Sequence, residues 1–227
     1  MRRSEVNALL HSAMAMMDRH GFQLPPWARW SPQQWRENPD RARRCVVRQI
    51  GWDVTDFGSG RFAERGLLLL CLRNGRPGTP SERPYAEKIM VVNPGQETPW
   101  HCHRIKMEDI IVRGGGNLVI ELAYAADGAL LDDGPIEVVI DEATTRAAVA
   151  TPLVLRPGSS ITLPQGLMHR FYGAPDTGPV MVGEVSVVND DLTDNDFLGG
   201  LGRFSAIEED EPIRYPLWQD LKIERTS

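Results

Sequence analysis

From about residue 45 onward the chain breaks into short apolar runs. They are "LLLLCLRNG" (67–75), "AEKIMVV" (86–92), "NLVIEL" (117–122), "IEVVI" (136–140) and "PVMVGEVSVV" (179–188), separated by Gly, Pro, Asn and Asp. Runs this short, bounded by breakers, read as strands of an antiparallel sandwich or barrel. No repeat of 20–50 residues and no low-complexity tract interrupts the series. At 227 residues the chain can form one large domain with a modest extension. We place a helical extension at residues 1–44 and the barrel with its C-terminal segment at 45–227.

In the extension, Val6, Leu9, Leu10, Ala13, Met16 and Met17 recur at helical spacing over residues 4–20, with Ser4 as the expected cap and Gly21 as the stop. His11 and His20 then fall on the helix surface. A second helix is expected at "SPQQW", with Ser31 capping, Pro32 first and Gln34 closing a capping box. Trp27, Trp30 and Trp35 are expected to pack this extension on the core. "RARRC" (41–45) reads as a solvated face.

Several classes are disfavoured. A net charge of −6 gives no reason to expect nucleic acid or an anionic membrane as partner. No apolar run approaches the ~20 residues that cross a bilayer. "MRRSEVNALL" lacks the apolar core of a signal peptide. Cys45, Cys71 and Cys102 are odd in number and share no zinc-type spacing, which fits a reduced cytoplasm. "GGLGRF" (199–204) lacks the glycine spacing of a phosphate loop.

Three of the five histidines fall in two segments, and those segments carry the chemistry. In a strand His101 and His103 share a face while Cys102 points away. Glu108 follows after a short turn and can return a carboxylate to the same place. His169 lies beyond the Pro164-Gln-Gly166 turn in "RPGSSITLPQGLMHRF". Three imidazoles and a carboxylate suit a first-row divalent ion, with positions left for other ligands.

The spacing Gly95-x5-His101-x-His103-x4-Glu108-x6-Gly115 matches the first motif of the cupins. Gly158-x5-Pro164-x-Gly166-x2-His169 resembles the second, which departs at Gly173, where many cupins carry Asn. The resemblance implies an all-β double-stranded β-helix, or jelly roll, with the ion inside and the helical N-terminus added. The longer strings "AEKIMVVNPGQ", "TPWHCHRIKMEDIIVRGGGNLVIEL", "GEVSVVNDDLTDNDF" and "GFQLPPW" resemble the D-lyxose isomerase family of sugar ketol-isomerases over nearly the whole chain. That likeness implies conversion of D-lyxose to D-xylulose and of D-mannose to D-fructose. It also implies a divalent metal, Mn²⁺ ahead of Co²⁺, Fe²⁺ and Zn²⁺, a sugar as the small-molecule partner, and no nucleic acid or membrane. A homodimer is expected because exposed jelly-roll edges invite a partner.

Such a reaction needs a base over the C1–C2 edge and an electrophile for the oxygens. Glu184 is the only charge in "PVMVGEVSVV" and is the candidate base, with a structural ion pair to an arginine as the alternative. Lys106 lies between two metal ligands and is the candidate proton shuttle, expected to be pushed towards its neutral form by the ion. Lys88 in "AEKIMVV" is expected as the partner of Glu184 or as a sugar contact. The run "EEDE" (208–211) with Arg214 is a candidate lid, Arg214 being its best substrate contact. Two other classes stay open at this point, a metal-dependent oxygenase and a non-catalytic sugar-binding cupin.

Overall fold

The computed structural model describes residues 1–221 other than 77, 80, 132 and 133. Three helices come first, α1 (Arg3–Arg19), α2 (Pro32–Arg36) and α3 (Pro39–Val47). Strands follow as β1 (Gly51–Thr55), β2 (Leu67–Arg73), β3 (Tyr85–Val92), β4 (Glu97–His103), β5 (Glu108–Gly115), β6 (Leu118–Ala126) and β7 (Ala129–Leu131). The second half adds β8 (Ile136–Ile140), β9 (Ala143–Ala147), β10 (Leu153–Leu155), β11 (Ser160–Leu163), β12 (Met168–Gly173), β13 (Val180–Val187) and β14 (Asn195–Phe197). An eight-stranded sheet runs β1-β2-β3-β13-β5-β11-β8-β9, and a six-stranded sheet runs β10-β6-β12-β4-β14, with β7 paired to β6. The strand pairs within both sheets are antiparallel. The fold is the cupin double-stranded β-helix with N-terminal helices.

Period-two alternation explains how this sequence fills it. Met90 and Val92 of β3, Ile110 and Val112 of β5, Leu118 and Ile120 of β6, and Val182 of β13 meet in the core between the sheets. The opposite face of the eight-stranded sheet is not bare. Val6, Leu10, Ala13, Met14 and Met17 of α1 pack there on Val54, Leu68, Leu70, Ile89, Val91 and Met181. Hence "LLLL" in β2 is apolar without interruption, because both of its faces are covered. Fully burying each large side chain of α1 is worth roughly 1.5–3 kcal/mol.

The cap of α1 differs from expectation. Arg2 is the N-cap, its backbone N–H donates to Glu5 at 2.7 Å, and Ser4 lies inside the helix. Ser4 is drawn away by Asp210, whose carboxylate accepts from the Ser4 backbone at 2.9 Å and from its hydroxyl at 2.6 Å. At the other end Gly21 takes a positive φ of 69° and stops the helix. The Ser31 box forms, and Trp27, Trp30 and Trp35 pack on one another beside Cys45 and Leu221.

Gly173, the departure from the second cupin motif, has a physical cause. A Cβ there would stand 2.4 Å from the Asn93 carbonyl oxygen. The backbone uses that closeness: Gly95 N–H donates to the Gly173 carbonyl at 2.8 Å, joining the two motif segments. An asparagine would force the segments apart.

Candidate metal centre and active site

Alternation along β4 turns His101 and His103 into the barrel, and the register sets His101 opposite His169 of β12. The Pro164–Gly166 turn is tied to β4 itself, because Gly166 N–H donates to the His103 carbonyl at 2.9 Å. One ligand nitrogen from each of the three rings lies within 4.8 Å of the others. Glu108 begins β5 on the facing sheet, and its Oε1 stands 3.4 Å from His103 Nε2 and 3.3 Å from His169 Nε2. The site therefore straddles both sheets. Cys102 points elsewhere, opposite Asp196 of β14.

The donor set fits a metal ion. The Nδ1 atoms of His101 and His169 lie 2.8 and 3.0 Å from the carbonyls of Pro99 and Leu167. A carbonyl only accepts, so those nitrogens carry the proton and each Nε2 keeps its lone pair. His169 Nε2 is buried with no hydrogen-bond partner among the described residues. Leaving such an acceptor unmade costs about 1–3 kcal/mol, and a cation would satisfy it. Burial, then His169 and His103, hold His101 well below its ordinary range, and burial, then Lys106, lowers His103. Both are thus neutral ligands at neutral pH. Burial pushes Glu108 up, but Lys106 and His103 outweigh it and keep it ionised.

Beside the histidines stands a buried ladder of alternating charge. Lys106 Nζ reaches Glu108 Oε2 at 2.6 Å and Glu184 Oε1 at 2.8 Å. Lys88, facing Glu184 across the register of β3 and β13, lies 3.4 Å from the same Oε1 and donates to Asn189 Oδ1 at 2.7 Å. The Ser186 hydroxyl donates to Glu184 Oε1 too, at 3.3 Å, so no hydrogen bond among the described residues falls on Glu184 Oε2. The partners of Glu184 are therefore lysines rather than an arginine. Burial pulls the Lys106 ammonium down, but Glu108 and Glu184 raise it above its ordinary value, so beside these two carboxylates it is a charged donor. Its loop is clamped by Asp194, which accepts from the backbones of Ile105 at 2.7 Å and Lys106 at 3.2 Å.

The structure brings His101, His103, Glu108, His169, Lys106, Glu184 and Lys88 together. It does not bring Arg214, which is largely exposed, lies 3.7 Å from Glu211, and hangs its backbone on Asn7 of α1. Nor does "EEDE" form a lid. Glu209 pairs with buried Arg3 at 2.7 Å, Asp210 holds Ser4, and Glu211 accepts from Asn7 at 2.6 Å. An acidic run at the positive end of α1 is where the helix dipole favours it.

Sequence reasoning missed Asp53, Asp191 and Arg203. Asp191 lies 3.6 Å from Lys88, and Arg203 pairs with Asp53 at 2.8 Å. Burial pushes Asp191 up, but Lys88 and then Arg203 hold it well below the usual carboxylate range. A signal existed for Asp53, a charge inside the apolar run "GWDV", by the same logic that picked out Glu184. The cavity among these groups leaves about 30 Å³ open to a water-sized occupant. A larger cleft, about 770 Å³, opens between the helical segment and β2–β3, lined by Arg41, Arg44, Arg48, Arg73 and Arg83. Among its described lining residues there is no histidine and no unpartnered buried polar atom.

Comparison with known proteins gives a consistent result. The family model of D-lyxose isomerase matches residues 1–221. The D-lyxose/D-mannose isomerase of Escherichia coli O157:H7 is 45% identical over 224 residues, covering 98% of this chain and 99% of that protein. The D-lyxose/D-mannose isomerase of Serratia proteamaculans is 44% identical over 220 residues, covering 96% and 95%. Among solved structures, L-ribose isomerase of Acinetobacter sp. DL28 superposes with a TM-score of 0.63 at 17% identity, over 92% of this chain and 98% of that one. L-ribose isomerase of Cellulomonas parahominis gives 0.62 at 18% identity, over the same shares. At such identities these two speak for the fold alone.

Proposed function

The chain belongs to the D-lyxose isomerase family and is a sugar ketol-isomerase, and from that premise we propose that it converts D-lyxose to D-xylulose and, more slowly, D-mannose to D-fructose. The two aldoses share configuration at C2 and C3, the carbons nearest the reaction. The single observation that carries the reading is the buried Glu184–Lys106 pair, set in one cavity with Glu108, His101 and His103, against which His169 completes the cluster.

Isomerisation moves the C2 hydrogen of the aldose to C1 and the O2 proton to O1, through an enediol. Glu184 takes the proton from C2 and returns it to C1, using Oε2, the oxygen that the lysines and Ser186 leave free. Lys106, held charged by its two carboxylates, donates to the oxygen on which negative charge develops. Lys88 holds Glu184 in place and keeps its own charge matched by Asp191. His101, His103, His169 and Glu108 would hold a divalent ion, for which we take Mn²⁺ ahead of Co²⁺, Fe²⁺ and Zn²⁺. Bound there, such an ion supplies Lewis-acid polarisation of the sugar oxygens.

We also assign the protein to the cytoplasm, in keeping with three unpaired cysteines, and to a homodimer. Tyr85, Met107, Val185 and Val187 are exposed apolar residues at neighbouring positions that a second copy could cover.

The test is ketose formation from D-lyxose, abolished by chelator and restored by metal. His103→Ala should lose the ion by elemental analysis while remaining folded. Equal metal content in the two proteins would remove His103 from the site, and absence of ketose with every divalent metal would overturn the assignment.

A further inference from the structure

The charged ladder does not stop at Lys88. Asp191 passes it on to Arg203, Oδ2 to Nη2, at 3.5 Å, and the same Nη2 donates to Asp53 Oδ2 at 2.8 Å. Arg203 comes from the glycine-rich "GGLGRF" segment, its side chain is only 10% exposed, and it lines the cavity with Phe57 and Phe197. Both carboxylates thus engage one terminal nitrogen. The other, Nη1, is buried and has no hydrogen-bond partner among the described residues. A buried guanidinium N–H left without an acceptor is costly, more so than a neutral donor. A bound molecule that accepts from it removes that cost.

We propose that Arg203 Nη1 donates to a hydroxyl of the sugar beyond C2, and so selects the configuration accepted there. Placement supports this, because three successive ion pairs, Glu184–Lys88, Lys88–Asp191 and Asp191–Arg203, separate Arg203 from Glu184 at the reacting carbons. Charge supports it as well. Asp53 and Asp191 already balance Arg203, so the donor suits an uncharged hydroxyl rather than the phosphate of a sugar phosphate. Asp53 and Asp191 are positioning residues, aiming the guanidinium through Nη2.

The inference rests on the aldose-isomerase reading, and the experiment separates the two. Wild-type enzyme and Arg203→Lys are compared on D-lyxose and on its analogues lacking the hydroxyl at C3, C4 or C5. In the wild type, one of the three deletions should cost about 10- to 100-fold in kcat/KM, the scale of a lost hydrogen bond to a charged donor. Arg203→Lys keeps a cation for Asp53 but loses Nη1. It should raise KM for D-lyxose more than it lowers kcat, and the penalty for that same deletion should fall to about onefold. If Arg203→Lys does not fold, Asp53→Asn with Arg203→Met carries the same comparison, since Asp191 keeps Lys88. A purely structural arginine would slow all four substrates by a common factor and leave every deletion penalty intact, which overturns the proposal. Absence of wild-type turnover overturns the functional reading and this inference together.

Discussion

Replacing Glu184 by glutamine tests the proposed base at least cost to the fold. The change removes one negative charge from between two buried lysines, and truncating a buried ion pair ordinarily costs about 3–5 kcal/mol because a charge is left uncompensated. Here neither lysine is abandoned. Lys106 keeps Glu108 at 2.6 Å, while Lys88 keeps Asn189 at 2.7 Å and Asp191 at 3.6 Å. The amide oxygen can still accept from Lys106. The stability loss should therefore lie nearer the 1–3 kcal/mol of one impaired hydrogen bond, a Tm drop of roughly 2–12 °C for a chain of this size. The rate should suffer far more, because removing a general base costs about 10²–10⁴. Metal content should not change, since Glu184 is not among the metal-facing residues. The assays are ketose formation, thermal melting and elemental analysis on one preparation. Turnover of the wild type in D₂O adds a fourth reading, with deuterium expected at C1 of the ketose. A near-wild-type kcat in Glu184→Gln, with no deuterium incorporated by either protein, would refute the reasoning and leave Glu184 as a structural partner of two lysines.

Two further outcomes follow from the geometry. Metal-stripped protein should lose thermal stability between about pH 7.5 and pH 5.5. His101 and His103 are held below the 6.5 that such groups have when unfolded. The unfolded chain then binds more protons as acid is added, so stability is present above that value and is lost below it. The extra Tm conferred by added Mn²⁺ should shrink over the same interval as protons compete for the imidazoles; a flat Tm in the stripped protein would contradict the histidine assignment. Gly173→Ala should cost about 1–3 kcal/mol, as overpacking does, because its Cβ would stand 2.4 Å from the Asn93 oxygen. Calorimetry reads this directly, and an unchanged Tm would mean the two motif segments are free to separate.

The histidine cluster was legible because strand alternation and two short spacings fix it almost without tertiary information. His101 and His103 share a face by parity, and the Pro164–Gly166 turn delivers His169 opposite them. Glu184 and Lys88 were legible as charges stranded in apolar strands, a conflict resolved where they meet each other, Lys106 and Asp191. Asp53 gave the same signal. Arg203 gave none, since its segment is a glycine-rich connection with no periodicity, and only the folded barrel brings it against Asp53 and Asp191. Arg214 and the acidic run were misplaced for a related reason. A charged stretch near the C-terminus reads alike whether it covers a barrel mouth or grips a helix, and the choice depends on contacts with residues about two hundred positions earlier.

The grip of residues 208–220 on α1 sets an order of events during synthesis. Arg3 is buried in the finished protein, yet its partner Asp220 lies 217 positions later, and Glu209 little earlier. At about 5–20 residues per second, a nascent chain carries that guanidinium for roughly 10–40 s before either carboxylate leaves the ribosome. Through that interval the apolar stripe of α1 can meet the strands only with an unpaired charge at its end, which disfavours early docking. α1 is therefore made long before it is secured. The eight-stranded sheet is complete only once β13 is made, so its outer face awaits α1 for the stretch of chain between Val187 and Glu209, the state in which a holding chaperone would have most to bind.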